Sequence, residues 1–270
     1  MNLIFRPKQP LNLVLAAVVC VFLYVVYVAA RLLGPHSPKR GIGLVFGIMA
    51  ACLFIFEMAY PWRRSRARPL GTAKRWLQAH VYLGTIAFLG VLLHAGLSWP
   101  HGAMGWALLL LSAWTTGTGL LGVWLQKWIP SALSDGLRVE ALYERIPALV
   151  EGLRGEADTL MEEASDVLNR FYQNEVRAGL GRLAPSPAYL LDVRSGRERY
   201  LEPFRRMTQF VDAAEKEKVD DLMTLYTEKL ELDAHYSLQG ILRRWLILHV
   251  PFAGLLMGLL AIHIFTWLWY

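Results

Sequence analysis

Five stretches of this sequence, approximately 11–33, 41–60, 76–98, 103–126 and 245–269, are apolar over lengths that suit the roughly 20 helical residues needed to cross about 30 Å of hydrocarbon. They decide the solvent. A chain of 270 residues, 55% of them hydrophobic, is too apolar for one soluble domain and uses lipid as part of its surroundings. The first stretch does not read as a cleaved signal peptide: it is long, and "AARLLGPH" at its end is a poor small-residue cleavage site. The expected fold is all-α, a transmembrane helical bundle of five spans.

Charge is distributed unevenly along it. Residues 127–244 carry 17 Lys/Arg and 21 Asp/Glu, whereas the remainder carries 11 basic residues and a single acid, Glu57. The net +6 is therefore a feature of membrane flanks and does not point to nucleic acid. Six of the basic residues fall in "PWRRSRARPLGTAKR", between the second and third stretches, and none in "SWPHG", between the third and fourth. Positive charge on the inner side then predicts a cytoplasmic N-terminus, a cytoplasmic 61–75 loop and a cytoplasmic 127–244 segment. The C-terminal "TWLWY" falls on the outer side as an interfacial aromatic belt, and the expected location is an inner membrane of bacterial type.

Three regions follow: 1–126 with spans one to four, the polar insert 127–244, and 245–270 with the span that completes the bundle. Within the insert, Ile146, Leu149, Leu153, Leu160, Val167 and Phe171 recur at helical steps. "GLGRLAPSPAYLLDVRSGRERY" interrupts the pattern with Gly and Pro. A second run extends from about Pro203 through Phe204, Met207, Val211, Leu222 and Leu225. Two helices of roughly 40 residues each, folded back as an antiparallel hairpin, are expected here.

Several chemistries are excluded by what the residues lack. Cys20 and Cys52 lie inside spans and read as packing residues. No CxxCH occurs for covalent haem attachment, and no Cys cluster suits an iron–sulfur centre or structural zinc. "GTGLLG" at 117–122 fits the dinucleotide fingerprint GxGxxG, yet it lies within an apolar span and not at the strand-to-helix turn which that motif requires.

The informative residues are four histidines. "HVYLGTIAFLGVLLH" (80–94) and "HVPFAGLLMGLLAIH" (249–263) each end in His at both sides, with thirteen uncharged residues between. Fourteen helical residues rise about 21 Å and return nearly to the same face. Intramembrane imidazoles face a bundle interior or cavity, since lipid solvates them poorly. The third and fifth spans run in the same direction, so His80 shares a level with His249 on the cytoplasmic side, and His94 with His263 on the outer side. Two levels with two facing imidazoles each are what two bis-histidine haems require. A zinc or copper ion cannot be shared by ligands about 21 Å apart on one helix. Four core histidines hydrogen-bonded across helices are the structural alternative.

On His80, His94, His249 and His263, the membrane part resembles the cytochrome b superfamily. This group includes the cytochrome b subunits of quinol-oxidising complexes and the membrane domain of ferric reductases and NADPH oxidases. The resemblance implies two haem b groups, with pairs His80/His249 and His94/His263 as iron ligands. Histidines on the third and fifth spans are closer to the ferric-reductase layout. In the quinol-oxidising group, glycines on a neighbouring helix admit the haem edge. Gly105 and Gly119, fourteen residues apart, match them, although glycine also serves close helix packing. The chain lacks the sixth span of ferric reductases, any flavin or nicotinamide domain, and the PEWY quinol-site signature. Haem ligation alone is carried over.

Arg75, Arg243 and Arg244 stand five, six and five residues before His80 or His249. They suit forked pairing with haem propionates, or simple anchoring at the inner surface. Glu57 is a candidate proton acceptor in quinone chemistry, or a partner of Arg63 or Arg64. His36, His101 and His235 read as surface or capping residues.

The expected function is a dihaem b-type electron-transfer subunit of an oxidoreductase complex, serving a partner redox protein docked on 127–244 and a quinone or another haem or iron–sulfur subunit. A stand-alone quinol or quinone oxidoreductase, or transmembrane reductase, is the second expectation. A non-redox membrane scaffold is the third.

Overall fold

The computed structural model describes residues 10–58, 72–136, 142–192 and 196–269; the chain is 85% helical, with no strand among the described residues. Four helices are long and apolar enough to cross a membrane: Leu11–Leu33, Arg75–His94, Gly102–Ile129 and the apolar part of Ala213–Trp269. The chain is a helical membrane protein. Its residues divide into two compact units, 1–123 with 246–270, and 124–245.

The first unit contains α1 (Pro10–Leu33), α2 (Gly41–Glu57), α3 (Ala73–His94), the first part of α4 (Gly102–Gly136) and the last part of α9 (Ala213–Trp269). Its outer surface is apolar. Leu15, Val21 and Phe22 on α1, and Ile247, Phe265 and Leu268 on α9, are all more than half exposed, which a lipid surround accommodates and water does not. Tyr27, Phe46 and Leu93 bury the contact of α1, α2 and α3. Phe54, Ala87 and Leu256 do the same for α2, α3 and α9, with Leu108 and Leu111 of α4 against them.

Helix boundaries differ from the sequence reading at two places. The third span was expected to continue to residue 98, but α3 stops at His94. The backbone turns left-handed at Gly96 (φ 71°) and Leu97 (φ 54°), and the Gly96 carbonyl accepts the Tyr27 hydroxyl at 2.9 Å. The second stretch forms a helix of 17 residues ending at Glu57. At 1.5 Å per residue that is about 25 Å, short of a full hydrocarbon core. The basic cluster that follows, through residue 71, lies outside the described residues.

In the second unit each of the two expected helices of about 40 residues is broken. Its N-terminal half is divided into α5 (Ile146–Met161), α6 (Asp166–Phe171), one wide turn at Tyr172–Val176, and α7 (Arg177–Leu180). The second run is likewise split, into α8 (Arg197–Met207) and α9. Local capping explains both breaks. Ser165 opens α6 by accepting the Leu168 N–H, and Asp212 accepts the Glu215 N–H at 2.9 Å as α9 begins. Helix α9 then continues without interruption through residue 245 into the first unit.

These short helices enclose residues 219–238 of α9. Phe204, Leu168, Tyr172, Leu180, Val219 and Leu222 are almost wholly buried together. A buried ion pair sits in the same stretch: Lys229 Nζ to Asp233 at 2.6 Å, with side chains 3% and 1% exposed. Asp233 also accepts the Ala184 N–H at 3.1 Å, and Ser237 accepts the Ser186 N–H at 3.1 Å. The Gly/Pro-rich link is thereby fastened to the helix.

Candidate functional site

The first unit brings His80 and His249 together. Their ring centroids are 6.4 Å apart, with planes at 85°. Leu256, between His249 and His263 on α9, packs with Ala87, between His80 and His94 on α3. All four imidazoles are half-buried; on α9 their neighbours Leu248, Val250 and Ile262 face outward, whereas on α3 Leu93 is fully buried.

The Nδ1 atoms of three of these rings are engaged, each by a different kind of oxygen. His94 Nδ1 lies 2.9 Å from the Gly43 carbonyl, which can only accept. His80 Nδ1 is paired with the Glu57 carboxylate, whose side chain is 10% exposed. His249 Nδ1 lies 2.9 Å from the Thr118 hydroxyl. The same hydroxyl lies 2.7 Å from the Trp114 carbonyl. Of the three rings, His94 has its proton fixed by its partner: a carbonyl only accepts, so the proton is on Nδ1 and the lone pair on Nε2. Metal-ligating histidines adopt this state, with the second nitrogen donating to a carboxylate, a carbonyl or a hydroxyl.

Helix α2 supplies two of the three acceptors. It runs antiparallel to α3, with Gly43 meeting His94 at one end and Glu57 meeting His80 at the other. Gly43 and Glu57 are fourteen residues apart, the same interval as the histidines they hold. Seventeen residues suffice to reach both. The approach is close enough at Gly47 that a Cβ there would stand 2.6 Å from His94 Nδ1 and 2.8 Å from its Cε1. Around the same ring, His36 Nε2 donates to the His94 carbonyl at 3.0 Å while Tyr27 meets the His36 ring edge-on at 5.6 Å. His36, expected as a surface or cap residue, secures the end of α3.

The other sequence-derived candidates are distributed differently. Gly119 lies beside the site: a Cβ there would be 3.5 Å from His249 Cε1. Gly105 instead faces Pro100, with 2.9 Å to its Cβ. Arg75 is exposed at the start of α3. Arg243 is held in the second unit by Glu144 and lies over the Tyr143 ring at 4.3 Å, and Arg244 Nε donates to the Gly240 carbonyl at 3.3 Å. Glu57 has His80 as its partner; Arg63 and Arg64 lie outside the described residues. "GTGLLG" lies mid-helix in α4. Gly43, Gly47 and Thr118 were missed in the sequence. A carbonyl acceptor has no side-chain signature, and small residues are common in apolar helices.

No three His, Cys, Asp or Glu side chains converge on a point among the described residues, as a protein-only metal cage would need. The chain matches no known family model, no curated protein and no solved structure.

Proposed function

We propose that this chain is a dihaem b-type cytochrome subunit, with haem b ligated by His80 and His249 at one level and by His94 and His263 at the other. Haem iron would supply a one-electron couple at each level. The observation that carries this reading is the meeting of His80 and His249 ring to ring, with the Nδ1 atoms of His80, His94 and His249 each held by an oxygen. Spacing supports it as well. Two metal–imidazole bonds of about 2 Å, together with the distance from each nitrogen to its ring centre, separate opposed axial imidazoles by about 6 Å between centroids. The His80–His249 separation of 6.4 Å suits that requirement.

In this reading α2 is the fifth membrane-embedded helix, alongside the four longer ones. The distribution of basic residues supports a cytoplasmic N-terminus, a cytoplasmic 127–244 segment and an outer C-terminus. The helical insert is then the docking surface for a partner redox protein, and a quinone or a further redox subunit completes the circuit. A purified chain should give a dithionite-reduced-minus-oxidised b-type spectrum with two haems per polypeptide. His80→Ala and His94→Ala should each lose a different one. A wild type free of haem defeats the proposal, and one haem defeats the pairing. A quinone-dependent absorbance change in the chain alone would make it an oxidoreductase in its own right.

A further inference from the structure

The two levels are not equivalent, and the difference lies in α2. At the His80 level the Nδ1 proton faces a carboxylate, Glu57, which is 10% exposed and the sole acid in the apolar stretches. At the His94 level it faces the carbonyl of Gly43, a neutral dipole. A carboxylate draws the Nδ1 proton more strongly, making the ring a more basic and more electron-donating ligand. When the carboxylate is ionised, its charge is only weakly screened where water is excluded. Both effects favour the oxidised iron over the reduced one. The second ligand at the His80 level does not reverse this, because the Thr118 hydroxyl at His249 is also neutral.

Resting on the dihaem reading, we infer that Glu57 is a positioning residue that sets the haem at the His80 level to a lower potential than its partner at the His94 level. The downhill direction of electron flow is then from the Glu57 end of α2 to the Gly43 end. With haem bound at both levels, the transfer would be of one electron from the reduced iron held by His80 and His249 to the oxidised iron held by His94 and His263, with no bond made or broken. This assigns Glu57 a role through His80, distinct from accepting a proton from a substrate.

The test is a redox titration of the purified, haem-loaded chain, following the two b-type absorbance components, with low-spin ferric signals recorded by electron paramagnetic resonance. The wild type should titrate in two one-electron steps, with the haem lost in His80→Ala as the lower. Glu57→Gln keeps an acceptor and removes the charge. It should raise the lower midpoint by a factor of ten or more in the one-electron equilibrium, about 59 mV, shift the ferric signal of that haem alone, and leave the upper midpoint in place. Glu57→Asp, which retains the charge, should restore the order, and it serves as the reading if Glu57→Gln does not retain that haem. Two haems with midpoints indifferent to Glu57→Gln, or a His80-level haem that is the higher of the two in the wild type or in Glu57→Asp, overturn the inference and leave the cytochrome reading intact. A wild type without haem overturns both.

Discussion

The two units differ in where their polar contacts are directed. In the membrane unit, Glu57, Thr118 and the Gly43 carbonyl meet imidazoles, Tyr27, His36 and Trp114 bond backbone carbonyls, and the cores between helices are apolar, as at Phe54, Ala87 and Leu256. In the unit spanning 124–245, buried polar groups hold the chain to itself. Lys229 pairs with Asp233, Asp233 and Ser237 tie down the 184–186 backbone, and Asp158 joins Tyr172 at 2.6 Å to Arg177 at 2.8 Å. The lesson is physical. Where lipid removes the hydrophobic drive between helices, packing alone must hold them, and polar groups are retained where they orient something else. Where water surrounds the unit, polar networks can specify the fold.

That contrast is open to direct attack. The largest expected effect is at Gly47. Any Cβ there overlaps the His94 ring, so Gly47→Leu should abolish one of the two haems, the one also lost in His94→Ala, and halve the difference spectrum. Retention of both would mean that the close approach of α2 does not set the ring. Next comes Lys229→Met, which leaves Asp233 buried without its counter-charge. Thermal unfolding of the second unit should register a loss of about 3–5 kcal/mol, with Lys229→Met/Asp233→Leu recovering most of it. If the double variant is as unstable as the single, the network and not the charge is what matters.

Third is Thr118→Val, which removes the hydrogen-bond partner of His249 Nδ1 and nothing in the second unit. Haem affinity should fall by about 10–100-fold with helix content unchanged by circular dichroism. The smallest effect is expected at Asp158, which Arg177 and the Tyr172 hydroxyl hold below the usual carboxylate range. A carboxylate depressed in this way stabilises the folded unit above the ordinary aspartate pKa and loses that contribution as pH falls through the depressed value. The group is a third exposed, so Asp158→Asn should cost about 1 kcal/mol at neutral pH. Measured by denaturant unfolding, the cost should shrink below about pH 4. A cost that persists at pH 2 would assign it to packing instead.

Much of the membrane half was legible in the sequence, because apolar length and a fourteen-residue histidine interval are strong, regular signals. Glu57 stood out as a lone acid, although its partner did not. The expectation for the insert failed at particular residues. Ser165 and Asp212 are N-cap types followed by helical patterns, but hydrophobic periodicity runs on across both and hides the breaks. Helix α9 has the opposite defect. Its polar and apolar halves look like two elements by composition, whereas the helix runs on through Gly240 and Pro251. Arg243 was read as a propionate partner from its distance in sequence to His249, and spacing along a helix is blind to competitors such as Glu144 and Tyr143.

The Nδ1 tethers also bear on how strongly a ligand is kept. Immobilising a freely rotating side chain upon association costs about 0.5–1.5 kcal/mol. Gly43, Glu57 and Thr118 have already imposed that loss on three rings during folding. In the dihaem reading, a macrocycle would meet two tethered rings at the His80 level and one at the His94 level, so less of its coordination energy would go into arranging them. Such preorganisation slows escape, which suits a group that has no covalent bond to keep it in place.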